Sequence, residues 1–517
     1  MYGVHFDVHH FSHNVRVTGF NNHGKRLLID FCVTRLGQWG VIRRWDGSFE
    51  RKLSKIFAAS KKDRSEFRFH INSWPSLKDF LITKGVSENE IVETREPDFI
   101  PVKASLPIVN GMDPRDYQLP IIEYMVNPGK TKLVILQTGK GKSFSTLKAC
   151  SEIGQRTVFI LKAMYIEQWM NQLRDTKKEK SAYGLKPGEL LLIRGSQDMK
   201  RLQEQALAGT LDAKVIVISN KTMYNYIDFY ETLGSVEGQY PIAPEDFFQT
   251  LKVGVRVIDE LHQDFHLNFK IDLYTHCSKT IQLSATMESD KPFTNKVYGI
   301  MCPKAERYDG LAYDKYIAVS ALYYQLSLPT PLKWLQRGQQ SYNQIVFEES
   351  LIKRKPYLHR YLKMIQSIVH TSFVQKCVPG QKLLIFAGSV SFCSLLVNEL
   401  KTHYPDLVIN KYTAEDDYLK LISSDICVST LLSSGTAVDI PGLRTVLMTT
   451  ALSSQQANEQ AMGRLRRIDN RWPDTIPEFL YLVCRDIPAH LRYDLQKQDI
   501  FKGKALSHRG FELPDKI

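Results

Sequence analysis

Between Val134 and Leu147 the chain reads VILQTGKGKSFSTL: an apolar run, then two glycines, two lysines and a serine, then a helical stretch. Strand, glycine loop and helix in that order suit phosphate. Glycines let backbone N–H groups approach phosphate oxygens, and a helix N-terminus adds the positive end of its dipole. The candidate contacts are Thr138, Gly139, Lys140, Gly141, Lys142 and Ser143. Lys142 would neutralise the β and γ phosphates, and Ser143 would ligand Mg2+. The strict G-x-x-x-x-G-K-S/T pattern is not met, because Leu136 stands where its first glycine belongs. A second cluster, VRVIDELHQDF, places Asp259 and Glu260 at the end of an apolar run. One carboxylate there can hold Mg2+, and the other can orient or deprotonate an attacking water. Alone, such a pair is an ordinary acidic strand end; with the glycine loop upstream it points to nucleotide hydrolysis.

Positioning these groups requires strands that end at one edge. From about residue 106 the apolar runs KLVIL, TVFIL, ELLLI, KVIVI, VRVID and TIQLS alternate with helical stretches. Continuous apolar strands separated by helices indicate a parallel sheet covered on both faces. The alternation returns after about residue 380 in KLLIF, DLVIN, DICVST, TVLMT and FLYLV, so a second α/β domain follows. The stretch NQIVFEESLIKRKPYLHRYLKMIQSIVH leading into it is helical and basic. Residues 1–105 read as a separate small α/β unit, with KRLLIDFCV and EFRFHI as strands and SLKDFLITKG as a helix ended by Gly85. EPDFIPVKASLP, with three prolines, reads as a linker. The predicted domains are 1–105, 106–305 and 306–517.

The sequence Asp259-Glu260-Leu261-His262 matches the DExH form of motif II in superfamily 2 helicases, and the family's other motifs follow in order. RDYQ, Arg115 to Gln118, resembles the R-x-Y-Q element whose glutamine reads adenine's edge. Ser284-Ala285-Thr286 resembles motif III, which with His262 would link hydrolysis to nucleic-acid contacts. KLLIFAGSVSFCSLL resembles motif IV, and VSTLLSSGTAVDIPGL resembles motif V, with Gly435 and Asp439 at the matching places. In QAMGRLRRID, residues Gln460, Gly463, Arg464 and Arg467 reproduce the Q-x-x-G-R-x-x-R spacing of motif VI. Three apart, Arg464 and Arg467 would share one helix face and act as arginine fingers on the γ-phosphate, with Arg466 turned to solvent. The motif Ia region FILKAMYIEQWMNQL keeps Gln168 and Trp169 but has Lys162-Ala163 where relatives carry Pro-Thr. The candidate DNA contacts are Gln168, Trp169, Thr222, Ser389 and Thr430.

This resemblance implies two tandem RecA-like domains, α/β with parallel sheets and helices on both faces, preceded by the small N-terminal domain. ATP and Mg2+ are the implied cofactors, with Mg2+ on Ser143 and Asp259. The nucleotide would sit between the lobes, Lys142, Ser143, Asp259 and Glu260 coming from one and Arg464 and Arg467 from the other. The layout, with its basic ESLIKRK segment, resembles the UvsW-type helicases of tailed phages, which remodel replication forks and migrate branched DNA. The implied partners are forked or branched DNA and other replication or recombination proteins, in the cytoplasm of a host cell.

A net charge of +13 favours a polyanionic partner over a small neutral substrate. Between Arg43 and Arg68 nine Lys/Arg face four acidic residues, with Trp45, Phe49, Phe57, Phe67 and Phe69 interleaved. Lys61, Lys62 and Arg64 are candidate phosphate contacts, and the aromatics either stack on unpaired bases or fill a small core. The eight cysteines form no CxxC pair, which argues against zinc and against a disulfide framework. Histidines 5, 9, 10 and 13 lack a Cys partner or an H-E-x-x-H pattern, and no metal is expected there. No run of about 18 apolar residues appears, so no membrane span is expected. Two rival readings keep the same motor: an RNA helicase, or a nucleic-acid remodelling subunit in which ATP acts only as a switch.

Overall fold

The computed structural model describes residues 4–43, 48–60, 63–175, 182–287, 289, 291–335, 341–413, 416, 418–431 and 439–517. They divide into two compact units: residues up to Leu136 with Lys140–Leu311, and Gln137–Gly139 with Ala312–Ile517.

The first unit is built on a seven-stranded sheet. Its order is Leu190–Ile193, Val215–Ser219, Thr157–Leu161, Val255–Ile258, Lys279–Ser284, Thr131–Ile135 and Arg307–Tyr308. Every pairing is parallel. Six of these strands are the apolar runs read from sequence; the Val, Ile and Leu side chains of the inner strands are mostly buried because helices cover both faces, while Leu190, Leu191 and Leu192 of the edge strand are half-buried. The two-residue edge strand at Arg307 has no such run and was not anticipated. The second unit repeats the plan with order Ile409–Tyr412, Ile426–Thr430, Lys382–Ala387, Leu443–Met448, Glu478–Cys484, Ala318–Gln325 and Ser507–Lys516, again all parallel. These are the two RecA-like domains.

The N-terminal residues form a five-stranded sheet ordered Ala58–Ala59, Phe67–His70, Asn14–Thr18, Phe6–His10 and Ile91–Arg95, with helices Asn22–Arg35 and Trp74–Thr83. KRLLIDFCV is helical, not a strand. The Asn21 side chain accepts the N–H groups of His23 and Gly24, both at 3.0 Å, and starts the helix. Leu27, Leu28, Phe31 and Cys32 then fall on one buried face at helical spacing. The proline-rich segment after Arg95 is also no free linker. The Val102 and Ala104 N–H groups donate to the carbonyls of Lys252 and Gly154, and the Arg156 N–H donates to the Val102 carbonyl.

This sheet shares a hydrophobic core with the first RecA-like domain and joins it through buried polar groups. Arg68, 1% exposed, pairs with Glu66 and Glu245 and lies over the Tyr274 ring. Asn14 donates to the Thr275 carbonyl at 3.0 Å, and His13 Nε2 lies 2.8 Å from the Thr280 hydroxyl. His70 lies 3.7 Å from Asp272, which pairs with Arg256. Burial pushes the His13 imidazole down to about 3, so it is neutral in this contact. Arg68→Ala removes a buried guanidinium and leaves the half-buried Glu245 with Arg16 alone, and we expect about 3–5 kcal/mol of destabilisation. A chemical denaturation midpoint that does not move would contradict this.

Candidate nucleotide site

The glycine loop follows the strand Thr131–Ile135 and opens the helix Lys142–Ile153. Gly139 and Gly141 take φ of +88° and +76°, which only glycine adopts readily. A Cβ on Gly141 would also stand 2.2 Å from Gln118 Nε2. Gln118 is buried; its side-chain oxygen accepts the Arg115 N–H at 2.9 Å, and its amide nitrogen lies 3.4–3.5 Å from the Gly141 and Lys140 carbonyls. The R-x-Y-Q element is therefore packed on the loop, while the Arg115 side chain is exposed. Leu136 is 2% exposed and its N–H donates to the Ser284 carbonyl, so it prolongs the strand rather than cradling phosphate. Its carbonyl accepts the Lys142 ammonium at 3.3 Å. The backbone does this work, and the position tolerates Leu in place of Gly.

Lys142, 9% exposed, also lies 3.5 Å from Glu260 Oε1. Asp259 and Glu260 follow the strand Val255–Ile258, and Glu260 takes an unusual φ of +47°. Each oxygen of Asp259 has one donor: the Glu260 N–H at 2.9 Å on Oδ1 and the Trp169 indole N–H at 2.9 Å on Oδ2. Burial, and then the neighbouring Glu260 carboxylate, push the Asp259 carboxyl up to about 6. From Glu260 a polar chain runs inward. His262 Nδ1 lies 3.4 Å from Glu260 Oε2 and 2.8 Å from the Ser284 hydroxyl. Ser284 donates to the Thr286 carbonyl at 2.5 Å, so the proton shared with His262 resides on Nδ1. Burial lowers the His262 pKa and keeps the ring neutral. Ala285, between Ser284 and Thr286, is the half-buried spacer of this turn.

Ser143, Asp259 and Glu260 offer hard oxygen donors, none fully buried, as Mg2+ requires. Among the described residues no group of three or more His, Cys, Asp or Glu is gathered for a metal.

In the second unit the helix Gln455–Met462, capped by Ser454, carries Gln460 and ends at Gly463. Arg464 and Arg467 therefore lie beyond the helix and share no helical face, contrary to the sequence expectation. Arg464 turns inward and is 7% exposed. The exposed Arg467 makes a two-pronged pair with Asp314 at 2.8 and 2.6 Å, meets Asp469 at 2.9 Å and lies over the Tyr316 ring. Arg466 is half-buried rather than solvated, and its Nε lies 3.5 Å from Asp439 of the motif V segment. Gly435 lies outside the described residues.

The candidate DNA contacts are dispersed. Trp169 is not such a contact: it is 1% exposed, packed on Phe159 and bonded to Asp259, so it presents no face to a nucleic acid. Its neighbour Gln168 is exposed. The Ser389 hydroxyl is occupied within its domain, donating to the buried Glu348 at 2.6 Å and capping the Phe392 N–H. Thr222 accepts the Gly195 N–H at 3.2 Å, and Thr430 ends a strand half-buried. Phe67, Arg68 and Phe69 are buried in the N-terminal sheet, which settles those two aromatics as core. Arg64 is exposed, while Lys61, Lys62 and Trp45 lie outside the described residues. The N-terminal histidines make separate contacts, His5 with Asp7, His9 with Glu96 and His10 with Glu93.

Residues 111–289, which hold the loop, Asp259-Glu260 and Ser284-Ala285-Thr286, match the family model of the type III restriction enzyme res subunit. The fold of the two RecA-like domains is shared with S. cerevisiae Dbp5 bound to RNA and ADP BeF3, with a TM-score of 0.50 at 12% identity over 78% of this chain and 90% of that one. An HsdR subunit fragment of a type I restriction enzyme from Vibrio vulnificus YJ016 aligns over 92% and 78% of the two chains, at 13% identity and a TM-score of 0.48. T4 UvsW aligns over 98% and 99%, at 13% identity and a TM-score of 0.33. The last two scores are too low to carry an argument. No curated protein matches the chain in sequence. Among the described residues no helix is long and apolar enough to cross a membrane.

Proposed function

We propose that the protein is an ATP-driven DNA helicase or translocase that remodels branched DNA, forks and junctions, by branch migration in the cytoplasm, that of the host cell if a phage encodes it. Replication or recombination proteins are its expected company. The observation that carries hydrolysis is the joining of Lys142, Glu260 and Asp259, continued through His262 to Ser284 and Thr286. A nucleotide-gated switch has no need of a carboxylate poised beside the phosphate lysine. Lys142 neutralises phosphate charge, Glu260 orients or deprotonates the attacking water, and His262, 3.4 Å from Glu260 and 2.8 Å from the Ser284 hydroxyl, lies between Glu260 and motif III. Ser143 and Asp259 would hold Mg2+, which supplies further neutralisation of the phosphates. Arg464 and Arg467 keep the finger role that their motif assigns.

A hairpin in the N-terminal region supports the nucleic-acid partner. Strands Gly37–Arg43 and Phe49–Lys55 pair antiparallel, with Trp39 opposite Leu53 and Val41 opposite Arg51. Trp39 and Val41 are 59% and 64% exposed on one face, and Arg51 and Lys55 are exposed as well. An exposed indole among cations suits stacking on unpaired bases beside a phosphate backbone. Trp39→Ala is expected to weaken binding to forks by about 1–3 kcal/mol and to leave plain duplex little affected. Equal losses on both, measured by anisotropy titration, would contradict the stacking role.

The test of the whole reading is ATP turnover compared across single-stranded DNA, duplex, fork, four-way junction and RNA. Greatest stimulation by forks and junctions is expected. Greatest stimulation by RNA would replace this reading with the RNA-helicase one. The RNA in the Dbp5 structure belongs to that protein, since 12% identity speaks to fold alone.

A further inference from the structure

The segment after the strand Thr157–Leu161 does not meet the motor as its motif suggests. Helix Ala163–Leu173 buries Tyr165, Ile166, Trp169, Met170 and Leu173 on one side and exposes Glu167 and Gln168 on the other. Phe159 is paired in register with Val257, two residues before Asp259. The Trp169 ring packs on Phe159 with centroids 4.9 Å apart, which brings its N–H to Asp259 Oδ2. The residue ahead of the helix reaches the same loop: Lys162 Nζ lies 3.4 Å from the Gln263 side chain and 3.5 Å from Asp264. Both polar anchors of this segment are therefore directed at the turn carrying Asp259-Glu260.

We infer that Trp169 is a positioning residue for the metal-binding carboxylate: its indole N–H and the Glu260 N–H each hold one oxygen of Asp259 and so fix the carboxylate's rotation. A carboxylate held on one oxygen alone turns about its terminal bond, and its remaining lone pairs lose their aim. Outer contacts of this kind orient metal ligands, and removing one lowers metal affinity about tenfold or more. Packing alone would not need the nitrogen. This role rests on the nucleotide-site reading given above.

The test replaces Trp169 with β-(3-benzothienyl)alanine, which keeps the bicyclic shape and puts sulfur in place of N–H, and separately makes Trp169→Phe. Mn2+ affinity in the presence of ADP is read by electron paramagnetic resonance, and ADP affinity in EDTA by calorimetry. Both variants are expected to bind Mn2+ about tenfold more weakly, with metal-free ADP affinity close to wild type. Mn2+ affinity within about twofold of wild type in the benzothienyl variant overturns the inference. So does an equal loss of ADP affinity with and without metal, which is what a packing role produces. A wild-type protein that binds neither ADP nor Mn2+·ADP instead refutes the nucleotide site, and the Trp169 role falls with it.

Discussion

Lys142→Ala is expected to lower ATP turnover by about 10³-fold or more while DNA affinity without nucleotide stays near wild type. The ammonium is almost buried, with the Leu136 carbonyl and the Glu260 carboxylate as its neighbours. Its removal takes away the cation that would face the β and γ phosphates; one preorganised donor lost from such a site costs roughly 10²–10³ in rate. It also removes a positive charge that lowers the proton affinity of the Asp259 carboxyl, which rises as a result. The nucleic-acid surface proposed for the hairpin lies on other elements, so anisotropy titrations should not move. Turnover within about tenfold of wild type would remove Lys142 from the chemistry.

Arg467→Ala is expected to slow hydrolysis by about 10³-fold while ATP affinity changes far less, because a finger acts on charge that develops in the transition state. The structure shapes this expectation. Arg467 is not free to sample rotamers: Asp314 takes it in a two-pronged pair, Asp469 takes a third N–H, and Tyr316 lies beneath it. Such a grip presents the guanidinium in a defined plane. Lys at this position keeps charge without the fork, so Arg467→Lys should rescue little. Single-turnover rates set against nucleotide affinity decide the matter, and equal losses in both would refute the finger role.

The two RecA-like domains were legible because their signals are local. Runs such as KVIVI and TIQLS are strands whatever surrounds them, and motif residues within one turn meet without help from the rest of the chain. Failures came where a cap, a helix stop or a distant partner decides. KRLLIDFCV is apolar enough for a strand, and the Asn21 cap just ahead of it makes it part of a helix. Gly463 stops the helix before Arg464, which the even spacing of QAMGRLRRID conceals. Trp169 looked like a nucleic-acid contact because its partner, Asp259, is ninety positions further along the chain. Phe67 and Phe69 alternate with Arg68 and His70 as a half-exposed strand would, yet all four are buried, because Asp272, Tyr274 and Glu245 accept the polar face.

The same buried face has a consequence during synthesis. The five-stranded sheet is complete once the ribosome has passed Arg95, but Arg68, His70 and Asn14 await partners between Glu245 and Thr280. At about 5–20 residues per second, the roughly 185 residues from Arg95 to Thr280 take on the order of 10–40 s. Throughout that interval the leading segment's polar side chains have only water in place of those partners. The two parts must mature as one body, so a graft that exchanges the leading segment for a foreign one would have to supply a matching acceptor surface on the engine as well.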